Sequence, residues 1–116
     1  MKGFIYSILF IFLTVSLTAS DKTDSLETAL KNAEPDTLRL KILKSLSWEY
    51  NSLLSDKAIE FGKKTLELAG RLEDSSSMAD AHIILAAAFK NFNDFKLSFE
   101  HINKSIKISE KLNDKE

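Results

Sequence analysis

The 116-residue sequence contains no cysteine, one proline, three glycines and two histidines. Without cysteine there is no disulfide framework, so packing alone must hold the fold, and nothing marks an oxidising compartment. With so little glycine and proline there is no room for a long linker, and we expect one compact helical unit. The formal net charge of −1 leaves no basic excess, which argues against binding to nucleic acid.

An apolar segment opens the chain. Lys2 precedes an almost uninterrupted apolar run from Phe4 to Leu17, and small residues follow up to Ser20. This pattern predicts a secretory signal peptide over residues 1–20, and therefore a protein exported to the periplasm or the cell exterior. The alternative is an uncleaved membrane anchor, since the run lies at the lower edge of the length that spans a bilayer. No cysteine follows the run, which excludes a lipid-modified cysteine anchor.

Two copies of a repeat of about 40 residues follow a short leading helix. Leu46 recurs 39 positions later as Leu85, and Leu72 recurs 40 positions later as Leu112. A period of this length, built from two helical halves, predicts stacked helical hairpins. We expect a leading helix and turn over residues 21–36, a first repeat over 37–75 and a second over 76–116.

Helical spacing of apolar residues predicts five helices and no strand. A capping box at Asp24 begins the first, Pro35 ends it, and Ser55-Asp56, Ser77 and Asn93-Asp94 begin the last three. The inward faces are predicted to be Leu26, Ala29, Leu30 and Ala33, then Ile42, Leu43, Leu46, Tyr50 and Leu53, then Ala58, Ile59, Gly62, Leu66, Ala69 and Leu72, then Met78, Ala81, Ile84, Leu85, Ala88 and Phe89, and finally Phe95, Phe99, Ile102, Ile106 and Leu112, with Ser98, Ser105 and Ser109 as the small partners in the last helix.

The two hairpins resemble tetratricopeptide repeats (TPRs) over about Thr37 to Leu112. The residues that carry the resemblance are Leu46, Ser47, Tyr50, Ala58, Phe61 and Leu66 in the first copy, and Leu85, Ala86, Phe89, Ser98 and Ile106 in the second. The resemblance implies an all-α fold of antiparallel helical hairpins, stacked as a short right-handed superhelix whose first helices line a concave groove. The longer repeat resembles those found in front of bacterial sensor histidine kinases.

Trp48 is the strongest candidate for a binding residue. At 100° per residue it points away from the inward stripe of its helix, with Lys41 and Lys44 beside it. It would either anchor a bound peptide or pack on a neighbouring helix of the stack, such as the one that begins at Asp24. The groove positions that the TPR resemblance implies are Lys41, Lys44, Trp48, Asn51 and Ser52 in the first copy, and Asp80, Ile83, Ala87, Lys90 and Asn91 in the second. Trp48 and Asp80 stand where chaperone-binding TPRs need an asparagine and a basic residue, so we do not expect that partner.

No catalytic residue, cofactor site or metal site is visible in the sequence. His82 and His101 are 19 positions apart, with no second ligand at helical spacing, and we interpret both as surface or groove residues. The chain has no nucleophile motif, phosphate-binding loop or zinc-binding helix. We therefore expect a protein that is not an enzyme.

Two functions remain. The first is a non-catalytic exported module that binds a peptide segment of another protein in its groove. The alternative is the extracytoplasmic sensory region of a longer membrane signalling protein, such as a sensor histidine kinase. The last predicted helix carries more large apolar residues than can face the fourth helix: Phe99, Ile102, Ile106 and Ile108. We expect an incomplete array whose last helix is covered by a further unit or by self-association.

Overall fold

The computed structural model describes residues 21–114, which form five helices and no strand. The helices are α1 (residues 21–32), α2 (Asp36–Ser52), α3 (Lys57–Arg71), α4 (Ser75–Asn91) and α5 (Phe95–Asn113). The all-α class is confirmed. Within the described range, no helix combines the length and the apolar character that crossing a membrane requires. The predicted signal segment, residues 1–20, lies outside this range.

Each helix from α3 onward packs antiparallel to the one before it. The hydroxyls of Ser47 and Thr65 lie 3.4 Å apart between α2 and α3. Between α4 and α5, the Ser98 hydroxyl donates to the Ala86 carbonyl at 2.8 Å. The short links leave no other arrangement for such contacts, and α3 packs on α4 in the same way. The helices therefore form a continuous series of hairpins.

Alternate helices α2 and α4 lie side by side and run in the same direction. Lys44 Nζ is 3.0 Å from Asp80 Oδ2, and the Asn91 amide donates to Asn51 Oδ1 at 2.8 Å. The partners are 36 and 40 positions apart in the sequence, and the residue further along α2 contacts the residue further along α4. The two helices are therefore parallel. The face that α2 and α4 share carries the candidate site.

The three links from α2 to α5 share one backbone motif. In each, a residue that is not glycine adopts a positive φ: 54° at Leu54, 54° at Glu73 and 62° at Asn93. The N–H of the next residue then bonds back to a carbonyl five positions earlier, joining Ser55 to Tyr50, Asp74 to Ala69 and Asp94 to Phe89. This is the Schellman motif, which satisfies carbonyls that the helix end leaves without partners. The same turn geometry is thus used three times.

Side-chain caps mark the start of α4 and α5, whereas α2 and α3 begin without one, so the cap predicted at Asp56 is not formed. Asp94 accepts a hydrogen bond from the Leu97 amide, which confirms the predicted cap of α5. The predicted start of α4 at Ser77 is wrong, because Asp74 accepts from the Ser77 amide and the helix already begins at Ser75. The cap predicted at Asp24 is also wrong, since residues 21–32 are helical.

The core lies mainly between α2, α3 and α4 and agrees with most of the predicted inward faces. Leu46, Ile84 and Leu85 have no exposed surface. Leu53 and Leu72 were predicted to face inward, but both are exposed because each follows the last residue of a helix and lies in a link. The pattern missed buried side chains that flank the predicted stripes: Leu40, Phe61 and Leu68.

The predicted inward face of α5 is wrong. Phe95 and Phe99 are 63% and 65% exposed, whereas Ser98 and Ser105 are buried. The serine hydroxyls donate to backbone carbonyls of α4, so their burial leaves no unsatisfied polar group. Small serines facing the alanine-rich α4 allow a close approach that phenylalanine would prevent. Shape therefore decides the contact here, and the large apolar side chains of α5 remain outside.

Helix α1 docks on α2 and extends the core. Leu26 and Leu30 pack against the buried cluster, although the predicted Ala29 is exposed. The Tyr50 hydroxyl is hydrogen-bonded with Glu27 of α1, and burial together with this carboxylate raises the pKa of Tyr50. Lys22 adds an ion pair with Glu49 at 2.6 Å. The leading helix is therefore an integral part of the stack.

Candidate functional site

An open cavity of about 520 Å³ lies on the shared face of α2 and α4. Its lining residues come from both helices: Lys41, Lys44, Ser45, Trp48, Asp80 and Ile83. Five of these are predicted groove residues, and the parallel arrangement of α2 and α4 brings them together.

A second cavity of about 550 Å³ adjoins the first, between α4 and α5. Ile83 lines both cavities, and the predicted residues Ala87 and Lys90 line the second. Its far wall is the outward face of α5, including Ile102 and Ile106. The two cavities form one continuous surface across α2, α4 and α5.

Three predicted groove residues lie outside both cavities. Asn51 and Asn91 bond each other through their side chains, and this bond ties the C-terminal ends of α2 and α4 together. The Ser52 hydroxyl donates to the Trp48 carbonyl within its own helix. These side chains hold the wall of the site in place.

Trp48 is 43% exposed on the wall of the first cavity. It does not belong to the buried cluster on which α1 packs, so it is not buried under α1. An indole ring held on a helix presents a large, rigid apolar surface with one N–H donor. Such a ring is suited to bind the apolar side chain of a partner.

The charges around Trp48 are of two kinds. Lys44 is paired with Asp80 and also donates to the Ser77 hydroxyl at 3.4 Å. Lys41 and Lys90 make no ion pair within the described residues, and both are exposed. Lys44 and Asp80 cancel, and Glu110 in the second cavity offsets one of the two other lysines, so the surface keeps an excess of one positive charge. This excess favours a partner with acidic groups.

Two histidines form a pair between α4 and α5 that was not predicted from the sequence. The Nδ1 atoms of His82 and His101 lie 2.9 Å apart, and the His101 ring stacks on Phe89 with centroids 5.5 Å apart. His82 is only 6% exposed, so its interpretation as a surface or groove residue is wrong. The two residues precede and follow the same link by similar distances, and an antiparallel hairpin brings such positions together.

This pair requires at least one neutral ring, since one Nδ1 must donate and the other accept. Burial lowers the pKa of His82, and the nearby His101 and Lys104 lower it further. Burial and Lys104 also lower the pKa of His101, against an opposite effect of Glu100. The geometry and the charges both favour the neutral pair.

Among residues 21–114, no group of three or more potential ligands has the arrangement that a metal ion needs. The histidine pair supplies only two potential ligands within this range. The absence of a metal and of any cofactor stays a prediction for the whole chain.

A further cavity, of about 1040 Å³, lies at the link between α1 and α2. Its lining residues are Leu30, Lys31, Asn32, Ala33, Glu34, Pro35, Asp36 and Arg39. It contains no aromatic anchor, and we therefore place the candidate site around Trp48.

No family model, curated protein or solved structure matches the chain. The likeness to TPRs thus depends on the residues and the helix order described above.

Proposed function

We propose that the chain is a non-catalytic, exported TPR-like module that binds a segment of another protein on the face formed by α2 and α4. This proposal rests on the exposure of Trp48: its side chain is exposed on a cavity wall, although the opposite face of its own helix, α2, is buried in the core. Aromatic residues at the centre of a concave surface contribute a large share of the binding free energy at interfaces.

The lining residues indicate what kind of segment would bind. An apolar side chain of the partner would lie between Trp48 and Ile83, where the two helices supply apolar surface. Acidic groups next to it would meet Lys41, which lines the same cavity as Trp48. The partner is therefore a short acidic segment with at least one large apolar residue, and neither nucleic acid nor a cofactor is involved.

The order of the helices supports the TPR-like arrangement. Two hairpins with the same Schellman link follow each other, and the first helix of each hairpin contributes to the common face. The leading apolar segment of the sequence supports export, with a retained anchor as the alternative.

The test uses a photo-crosslinking amino acid placed at Ser45, an exposed residue of the first cavity, in cells that produce the protein. We expect a crosslinked partner at Ser45 and none at Glu67, an exposed position on α3. A synthetic peptide from the crosslinked region should then change the fluorescence of Trp48, the only tryptophan of the chain.

The Trp48→Ala variant should bind that peptide about tenfold or more weakly, as expected for a hot-spot residue. Phe92→Ala is the matched control, since Phe92 is 45% exposed but lies in a link, outside both cavities. Equal affinity of the two variants would show that the partner binds elsewhere.

A further inference from the structure

The outward face of α5 has the spacing of a coiled-coil seam. Its residues follow each other at steps of four and three: Phe95, Phe99, Ile102, Ile106, Ser109 and Asn113. The first four are 63%, 65%, 42% and 48% exposed. Such a stripe is typical of a helix that packs along its length on another helix. Exposed apolar surface of this extent marks an interaction site.

The equivalent face of the first hairpin is already covered. There α4 packs on both α2 and α3, and Leu85 of α4 sits over Gly62. Ile102 stands 40 positions after Gly62 and is exposed. Ile83 of α4 continues the apolar face beside it. The α4–α5 face is thus a helix-packing surface in which a further pair of helices would fit.

The charged residues along one edge of this seam can pair with the same residues of a second copy when the two α5 helices are antiparallel. Lys96, Glu100, Asn103, Lys107 and Glu110 follow each other along that edge, and all are exposed. In an antiparallel pair centred on Asn103, Lys96 of one copy faces Glu110 of the other, and Lys107 lies one position from the point opposite Glu100. Alternating charges at such flanking positions set the orientation and register of paired helices.

The apolar layers match with an offset of two positions from this edge, because core and flanking side chains leave a helix at different angles. Ile102 then packs on Ile106 of the second copy, and the large Phe99 packs on the small Ser109. Large side chains opposite small ones interlock without voids. Each copy uses the same surface, as a two-fold symmetric interface requires.

We propose that two copies of this chain associate through their α4–α5 faces, with the α5 helices antiparallel and centred on Asn103. In this dimer, α5 packs on α5 of the second copy and α4 packs on α4, so that the four helices form a bundle of two layers. The bundle covers the second cavity, including Ala87 and Lys90, whereas the first cavity around Trp48 and Lys41 stays accessible beside it. The proposal does not depend on the peptide-binding function.

The absence of native cysteine makes the test direct. The full chain carrying Asn103→Cys is treated with a short bismaleimide crosslinker, and we expect a covalent dimer because position 103 faces itself across the two-fold axis. Lys111→Cys is the control on the outer side of α5 and should stay monomeric. Adding Ile102→Asp to Asn103→Cys should abolish the dimer, with the circular dichroism spectrum unchanged because Ile102 is exposed.

Orientation is tested with a mixture. Chains with Lys96→Cys and chains with Glu110→Cys should crosslink when combined, while each alone gives no dimer. Crosslinking of either variant with itself, or failure of Asn103→Cys to crosslink at any concentration, would overturn the proposal. The latter outcome would indicate that a different protein, or a further segment of the chain, covers the face.

Discussion

Leu85 occupies the space that any side chain at position 62 would need. A Cβ atom built on Gly62 would lie 2.8 Å from Leu85 Cδ2 and 3.1 Å from Leu85 Cγ. Because Leu85 has no exposed surface, it has little room to move. The glycine therefore sets how closely α3 and α4 approach.

The first prediction compares two helical glycines. Gly62→Ala should lower the free energy of unfolding by roughly 1–2 kcal/mol, because overpacking outweighs the better helix propensity of alanine. Gly70→Ala should raise it by about 0.5–1 kcal/mol, since nothing lies within 4 Å of the added Cβ. Urea unfolding of both variants measures the difference. A stabilised Gly62→Ala variant would mean that the α3–α4 contact is looser than described.

The second prediction concerns pH. The pKa of both His82 and His101 is lowered in the folded protein, so below the ordinary histidine pKa the unfolded chain binds more protons than the folded one. The free energy of unfolding is unaffected by these two histidines above about pH 6.5, and it falls as the pH decreases through their lowered pKa values. Melting temperatures measured from pH 8 to 5 should therefore decrease.

One substitution distinguishes the effect of the histidine pair on the pH dependence from that of the carboxylates. His101→Gln keeps a hydrogen-bonding group beside His82 but removes one titrating ring, so the decrease between pH 7 and 5 should become smaller. Lys63, Lys104 and Glu100 surround His101 and are left unchanged. If the profile of the variant matches that of the parent, the histidine pair is not its cause.

The third prediction concerns the first link. Leu54 has a φ of 54° and is 67% exposed, so its side chain gains little from burial while the backbone stays in the left-handed region. Leu54→Gly should remove a backbone cost of about 1 kcal/mol, partly offset by the larger entropy of glycine in the unfolded chain. Leu54→Ala keeps the unfavourable φ and should change little. Thermal melting ranks the three proteins, and equal gains in both variants would contradict the backbone explanation.

The fourth prediction concerns the serine face of α5. Ser105→Leu places a large side chain where the hydroxyl now donates to the Ala79 carbonyl, and it should destabilise the fold by roughly 1–3 kcal/mol. Lys107→Leu on the exposed side of the same helix should stay within about 0.5 kcal/mol of the parent. Chemical unfolding at low protein concentration gives both values. A stabilised Ser105→Leu variant would show that the α4–α5 contact has unfilled space.

The helix order was predictable from the sequence because apolar residues recur at helical spacing in α2, α3 and α4, with short links between them. In α5 the apolar pattern alone gives the wrong face. Serines of low hydropathy are buried there because their hydroxyls find carbonyl partners on α4, as Ser98 does with Ala86. Such a partner lies on another helix, and a single-helix pattern contains no information about it.

The candidate site was predictable to a similar extent. Trp48 was singled out because it points away from the inward stripe, and the structure leaves it exposed beside Lys41 and Ile83. The pairing of Lys44 with Asp80 depends on the relative shift of α2 and α4, which no local pattern reports. The buried histidine pair was missed for the same reason.

Packing between the described helices α2 to α5 is limited to near neighbours along the chain: α2 with α3, α3 with α4, α4 with α5, and α2 with α4. Every loop that must close during folding is therefore short, and chains with such local contacts fold in microseconds to milliseconds. Folding can begin in either hairpin and spread to the next. In hydrogen exchange, the amides of α4, which has neighbours on several sides, should open last, and those near the C-terminal end of α5 should open first.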